Sequence, residues 1–178
     1  VDPDKCDPAC SCRDELITTL SIMVSRKLVA SRHRCLLRRA AAGRRAVMTL
    51  ETDIALAHRL ADAAAAAVRP FFRSGLAADR KGDATPVTEA DRAAEEAMRR
   101  ILKAEAPRDT VIGEEFAATN GTSGRSWVLD PIDGTTSFLA GRPIFGTLIA
   151  LVVDGWPVLG IIDQPILGER WVGAAGLD

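Results

Sequence analysis

The larger part of this chain lacks cysteine and long apolar runs. All four cysteines lie before Met48, and residues 48–178 contain none. Nothing in that part indicates disulfide bonds or an oxidising compartment, so a cytoplasmic location is the default expectation. No apolar run approaches the roughly 18 residues that a transmembrane helix needs, so we expect no association with a membrane.

An excess of one charge sign is absent as well. The 178 residues carry 23 basic and 24 acidic side chains, for a formal net charge of −1. This balance argues against a generally basic nucleic-acid binder. Hydrophobic residues make up 47% and charged residues 26%, as in an ordinary globular protein, which excludes wholesale disorder.

The near-neutral total hides two unlike segments. Residues 1–47 carry ten of the basic and five of the acidic side chains, and from Val24 to Val47 there is no acidic residue. Three interpretations of this basic leader stay open: sequence upstream of a natural start at Met48 or a cloning remnant, an organellar targeting segment, or an arm for nucleic acid or anionic lipid. We therefore expect residues 1–47 to be non-native, disordered or targeting, and residues 48–178 to form the folded body.

Two stretches of helical periodicity open the body. The first predicts a helix that is capped by Thr49 or Thr52 and runs to about Val68. The second predicts a helix that starts at Thr88 with an approximate capping box and stops before Pro107. These stretches are typical of amphipathic helices that pack against a common layer.

Strand signals follow the helices. Between the two helices, residues 79–86 indicate a loop or a short hairpin arm. Later apolar runs separated by turns predict strands at 127–130, 147–153, 157–162 and 170–173. Asp154-Gly155 between two of them is a hairpin signal. Helices followed by hairpin-linked strands predict an α+β layered fold.

The segment 127–136 combines a strand with two carboxylates. Asp130 follows the apolar run, a proline then interrupts strand pairing, and Asp133 comes before a glycine turn. Mg²⁺ prefers such oxygen ligands, and the carbonyl of Ile132 is a further candidate. Gly134 permits close backbone approach, and N–H groups at a following helix start would bind an anion. From spacing alone, an Asx-type turn whose aspartates cap the backbone is an equal alternative.

Two further acidic elements precede this segment. Gly113-Glu114-Glu115 follows a short apolar run, and by itself it indicates solvated glutamates at a strand end. Thr88-Glu-Ala-Asp91 opens the second predicted helix, and by itself it indicates helix capping.

Together, and in this order, the three elements resemble the inositol monophosphatase superfamily of Mg²⁺-dependent, Li⁺-sensitive sugar phosphatases. The resemblance rests on Thr88–Asp91, Gly113–Glu115 and Asp130–Thr135, and it covers essentially all of residues 50–178. The segments 141–150 and 160–173 look most like the bacterial histidinol-phosphatase branch. The resemblance implies a layered α/β sandwich of the sugar phosphatase type, of which this chain would hold the N-terminal half.

The resemblance also implies a metal centre. Glu114, Asp130 and Asp133 would ligate two or three Mg²⁺ ions, with Li⁺ as the expected inhibitor. The carbonyl of Ile132 would complete one coordination shell. Glu114 would in addition help to activate a metal-bound water for attack on the phosphate.

Further roles are implied around that centre. Asp91 would hold Thr135, and this pair would assist Glu114 in orienting and deprotonating the water. Gly134 and Thr135 would contact the phosphate through their backbone. Lys81 falls where the family has a mobile basic loop, and Glu115 would support the site without binding metal.

The implied activity is hydrolysis of a small phosphorylated alcohol. Histidinol phosphate, as in histidine biosynthesis, is the first expectation, and inositol 1-phosphate is the alternative. A different alternative is an inactive metal-binding fragment, because the second half of the family fold supplies another metal-ligand aspartate and most substrate contacts. We accordingly expect this chain alone to have little activity and the complete protein to be a homodimer. We assign His58 no catalytic role.

Overall fold

A computed structural model describes residues 45–74, 79–80, 86–87 and 89–175. In chain order these residues form helix α1 (Arg45–Val68), a 3₁₀ turn (Arg69–Phe71), strands β1 (Asp79–Arg80) and β2 (Pro86–Val87), helix α2 (Glu89–Glu105), strands β3 (Thr110–Ile112) and β4 (Arg125–Asp133), helix α3 (Thr135–Leu139), and strands β5 (Gly146–Val153), β6 (Trp156–Gln164) and β7 (Glu169–Ala174). None of these three helices has both the length and the apolar character that a bilayer span requires.

The main sheet has five strands in the order β3-β4-β5-β6-β7. Strand β3 runs parallel to β4, and every other neighbouring pair is antiparallel. Strands β1 and β2 form a separate antiparallel pair, which confirms a hairpin arm between the helices. Helices that pack on a sheet of sequential strands confirm the predicted α+β class.

Helix α1 starts earlier than its sequence predicted. It begins at Arg45, so Thr49 and Thr52 lie inside the helix and neither is its cap. The residues between Arg45 and Thr52 include no glycine or proline, and nothing there interrupts the helix. The predicted end at Val68 is confirmed. The helix therefore runs across Met48, the predicted boundary between leader and body.

The core lies between the two long helices and one face of the sheet. From Leu56 onward, α1 has a buried stripe that includes Leu60, Ala64 and Val68, and Met98 and Leu102 of α2 are buried as well. These residues pack with alternate residues of the strands, namely Trp127, Leu129, Ile149, Leu151, Leu159 and Ile161. Because side chains alternate across a strand, the intervening residues Val128, Ala150 and Val152 form a second cluster on the opposite face.

Ion pairs connect α1 to the sheet at two points. Arg125 of β4 bonds Asp53 at 2.6 Å, and Arg170 of β7 bonds Asp62 at 2.8 Å. Burial acts to lower the pKa of each guanidinium, but its aspartate partners outweigh this, so the pKa of both arginines is raised. Arg170 also lies 3.1 Å from Nδ1 of His58, which gives that histidine a contact in the fold.

Candidate active site

The parallel pair of strands brings two acidic segments to one edge of the sheet. Ile112 at the end of β3 pairs with Val128 of β4, two residues before Asp130. Since parallel strands point their carboxyl ends at the same edge, the backbone at Glu114 and the backbone at Asp130 both lie there. We name residues Gly113–Thr119 the acidic loop and residues Asp130–Thr135 the acidic bend.

The acidic bend is a continuation of β4 rather than its end. Asp130 pairs with Leu148 and Asp133 with Gly146, with a register irregularity between them. The prediction that the strand ends at Asp130 is therefore wrong. Pro131 has no N–H to donate to the ladder, which accounts for the irregularity. Its carbonyl accepts a hydrogen bond from the hydroxyl of buried Thr147 at 2.7 Å.

A glycine then turns the chain into the short helix α3. Gly134 has φ +91° and ψ 38°, a left-handed conformation that favours glycine. Thr135 donates its hydroxyl to the carbonyl of Ile132 at 3.1 Å. Phe138 of α3 is buried edge-on against Phe145, with their ring centroids 5.1 Å apart. The bend is thus closed by a bond from the Thr135 side chain to its own backbone, and the buried ring of Phe138 anchors the helix that follows it.

The acidic loop is held by a residue that the sequence analysis missed. Glu95 of α2 is 0% exposed, and its Oε2 accepts the backbone N–H of Glu114 at 3.0 Å and that of Glu115 at 2.8 Å. Its Oε1 accepts Nε–H of Arg99 at 2.7 Å. A signal was available, because Glu95 lies on the apolar stripe of α2 between Asp91 and Met98, where an acid is unusual.

Arg99 connects the same glutamate to the far end of the loop. It donates to the carbonyl of Phe116 and to the hydroxyl of Thr119, both at 3.2 Å. Its guanidinium also lies over the ring of Phe116, 5.9 Å from the centroid. Thr119 forms a bridge with Val111 that closes the loop. One ion pair on α2 therefore contacts both ends of the acidic loop.

The other predicted residues occupy different environments. Asp91 is buried on α2, at 4% exposure, whereas Glu114 and Asp133 are exposed and Asp130 and Glu115 are half-buried. The single hydroxyl proton of Thr135 is directed to Ile132, so donation to Asp91 would require that bond to break. The pairing of Asp91 with Thr135 stays a prediction. Lys81 and Thr88 lie outside the described residues, as does the leader before Arg45.

The predicted ligands suit a hard divalent cation in their chemistry. Glu114, Asp130 and Asp133 offer carboxylate oxygens, and Ile132 offers a carbonyl oxygen, with no nitrogen or sulfur ligand among them. Within the ranges that the structure describes, however, no three His, Cys, Asp or Glu side chains are grouped closely enough to hold a metal ion. Among the described residues, the fold thus brings the ligand-bearing backbone to one edge without placing three acidic side chains at one point.

Comparison with known proteins identifies the family. Residues 49–178 match the model of the inositol monophosphatase family, and the chain belongs to that family. Members of this family are metal-dependent phosphatases. The match begins one residue after Met48 and includes both the acidic loop and the acidic bend.

Two of the relatives that the chain matches are named as phosphatases. The histidinol-phosphatase of Streptomyces coelicolor is 50% identical over 124 residues, which are 67% of this chain and 46% of that protein. The bifunctional phosphatase IMPL2 of Arabidopsis thaliana, described as chloroplastic, is 47% identical over 129 residues, which are 71% of this chain and 37% of that protein.

A solved structure shares the fold. The inositol monophosphatase from Zymomonas mobilis matches with a TM-score of 0.60 and 61% identity, over 71% of this chain and 49% of that one. The chain thus spans about half the length, or less, of the relatives that it matches.

Proposed function

We propose that the protein is a Mg²⁺-dependent phosphomonoesterase whose water nucleophile and phosphate meet at the edge formed by the acidic loop and the acidic bend. The observation that carries this proposal is the parallel β3–β4 pair, which places Glu114 and the Asp130–Thr135 backbone at one edge. Membership in a family of metal-dependent phosphatases supports it.

Different residues of this chain would bind the metal, orient the water and contact the phosphate. Glu114, Asp130, Asp133 and the carbonyl of Ile132 would hold the metal. Bound Mg²⁺ supplies Lewis acidity toward a water molecule and toward the phosphoryl oxygens. Thr135 would orient the water together with Asp91, and the backbone at Gly134 would approach the phosphate closely because it carries no side chain.

Histidinol phosphate is the proposed substrate. Its support is the identity of 46% to 50% with three bacterial proteins named histidinol-phosphatase. Inositol 1-phosphate is the second candidate, because the Zymomonas mobilis relative, at 61% identity, is an inositol monophosphatase. A non-catalytic, metal-binding fragment is the third. A homodimer and a cytoplasmic location stay predictions.

Mg²⁺ binding tests the metal part of the proposal on the chain as it is. We expect titration calorimetry to detect Mg²⁺ binding by the 178-residue chain and at least about tenfold weaker binding by Asp130→Asn. Asp154→Asn, which changes an aspartate in the β5–β6 hairpin, serves as the matched control. Equal affinity in all three proteins would refute the proposed ligand set.

Substrate choice requires a complete enzyme, because the chain spans only about half of its relatives. Residues 49–178 can replace the matching segment in the Streptomyces coelicolor and the Zymomonas mobilis proteins. We expect the first chimera to release phosphate from histidinol phosphate, and to stop doing so after chelation of Mg²⁺. Turnover by the second chimera only, on inositol 1-phosphate, would favour the second candidate. Turnover by neither would favour the fragment.

A further inference from the structure

A buried charge beneath the acidic loop has no role in the proposed ligand set. Glu95 is fully buried, yet both its carboxylate oxygens have partners. One oxygen accepts from Arg99, and the other accepts from two consecutive amides of the loop. Burial of a carboxylate is costly unless hydrogen bonds and an opposite charge offset it, and here both do.

The two amide bonds determine how the loop backbone is oriented. Consecutive N–H groups that converge on one oxygen form an anion-binding concavity and restrict the peptide planes on both sides of Glu114. The direction of a side chain from its Cα atom follows from those planes. A metal ligand must be held to within about half an ångström of its productive position. Glu95 therefore controls the place from which the carboxylate of Glu114 extends.

Gly113 shows how closely the loop approaches this glutamate. A Cβ atom added at Gly113 would overlap the carboxylate of Glu95. Because three bonds hold that carboxylate in a buried position, it cannot move aside without losing at least one of them. Only glycine at position 113 therefore leaves room for the carboxylate of Glu95 in its observed position.

From these contacts, we propose that Glu95 is a positioning residue. It holds the backbone of Gly113–Glu115 so that Glu114 is oriented toward a divalent cation, and it touches neither the cation nor the substrate. Its role toward the cation rests on the function proposed above. We expect the effect of Glu95 on the backbone to be confined to Gly113–Glu115, because Arg99 contacts the later part of the same loop at Phe116 and Thr119.

Two readouts on the 178-residue chain test this role. We expect Glu95→Ala to weaken Mg²⁺ binding about tenfold, as loss of a residue that orients a metal ligand does. We also expect amide hydrogen exchange at Glu114 and Glu115 to accelerate at least about tenfold, with no matching change in the core of α1. Glu96→Gln is the matched control, because Glu96 is an exposed acid on the same helix.

Glu95→Gln separates positioning from support of the fold as a whole. Its amide oxygen can still accept from the two loop N–H groups, whereas its NH₂ group cannot accept from Arg99. We expect its Mg²⁺ affinity and its exchange at Glu114 to be closer to wild type than to Glu95→Ala. If Glu95→Ala does not fold, Glu95→Gln is compared with Glu96→Gln by the same two measurements. We then expect a measurable loss of Mg²⁺ affinity and faster exchange at Glu114 only in Glu95→Gln.

The possible failures are distinct. Unchanged amide exchange at Glu114 and Glu115 in Glu95→Ala would overturn the inference alone. Unchanged Mg²⁺ affinity in a folded Glu95→Ala would also overturn it. Absence of Mg²⁺ binding by the wild-type chain would refute the proposed function, and with it the role of Glu95 toward the cation.

Discussion

The acidic loop and the acidic bend meet at one edge of the sheet but are stabilised by different kinds of contact. The bend depends largely on its own sequence, because Pro131 interrupts the ladder, Gly134 turns the chain, and Thr135 bonds back to Ile132. Its contact with Thr147 of β5 is a tertiary addition. The loop depends on a helix 19 and 20 residues away, through the two bonds from its amides to Glu95. A local motif can therefore specify most of the bend, whereas the loop requires α2 to be in place.

The largest expected effect comes from a substitution that breaks the contact between loop and helix. Gly113→Ala should lower the free energy of unfolding by about 3 kcal/mol, because the new Cβ displaces the buried carboxylate of Glu95. Chemical denaturation measures the change. Gly168→Ala is the control, since Gly168 has a positive φ but nothing within 4 Å of its Cβ position. A cost at Gly113 no greater than at Gly168 would contradict the steric explanation.

Loss of the buried bond between Thr147 and the bend should lower the free energy of unfolding somewhat less. Thr147→Val keeps the side-chain shape but leaves the carbonyl of Pro131 without its hydroxyl donor, so we expect a loss of about 2 kcal/mol. Thr147→Ser keeps the hydroxyl and removes one methyl group, and it should cost about 1 kcal/mol. The reverse order in denaturation experiments would mean that packing, rather than the hydrogen bond, stabilises the bend.

A substitution that only strains the backbone of the bend should lower the free energy of unfolding by a smaller amount again. Gly134→Ala has room for its Cβ, whose nearest neighbour would be 3.5 Å away, but φ is +91°. The left-handed strain should lower the free energy of unfolding by about 1 kcal/mol. Gly134→Asn should cost less, because asparagine tolerates this conformation better. Equal melting temperatures for the alanine variant and wild type would show that the turn can adopt another backbone conformation without loss of stability.

The smallest effect on stability is expected at a proposed metal ligand. Asp133 is exposed, so Asp133→Asn should change the free energy of unfolding by no more than about 0.5 kcal/mol without metal. Added Mg²⁺ should raise the melting temperature of wild type and of the Asp154→Asn control but not that of Asp133→Asn. A similar rise in all three proteins would place the ion elsewhere.

Much of the fold and part of the site were predictable from the sequence. The period of apolar residues predicted the end of α1 and the helix α2. The turn pair Asp154-Gly155 predicted the hairpin, and these two residues have φ values of +49° and +83°. The start of α1 and the end of β4 were predicted wrongly. Thr49 and Thr52 resemble caps although they lie within a helix, and Pro131 interrupts a strand that then resumes.

The sequence by itself determined the class of the fold, the family and the positions of the acidic residues, because periodicity, turn residues and a short motif are local properties of the chain. Only the tertiary structure decided that Glu95 and Arg99 of α2 hold the acidic loop, and that the loop shares an edge with the acidic bend. Those relations join residues that are distant in the chain. They depend on how the helices pack on the sheet and on how β3 pairs with β4, which no local pattern encodes.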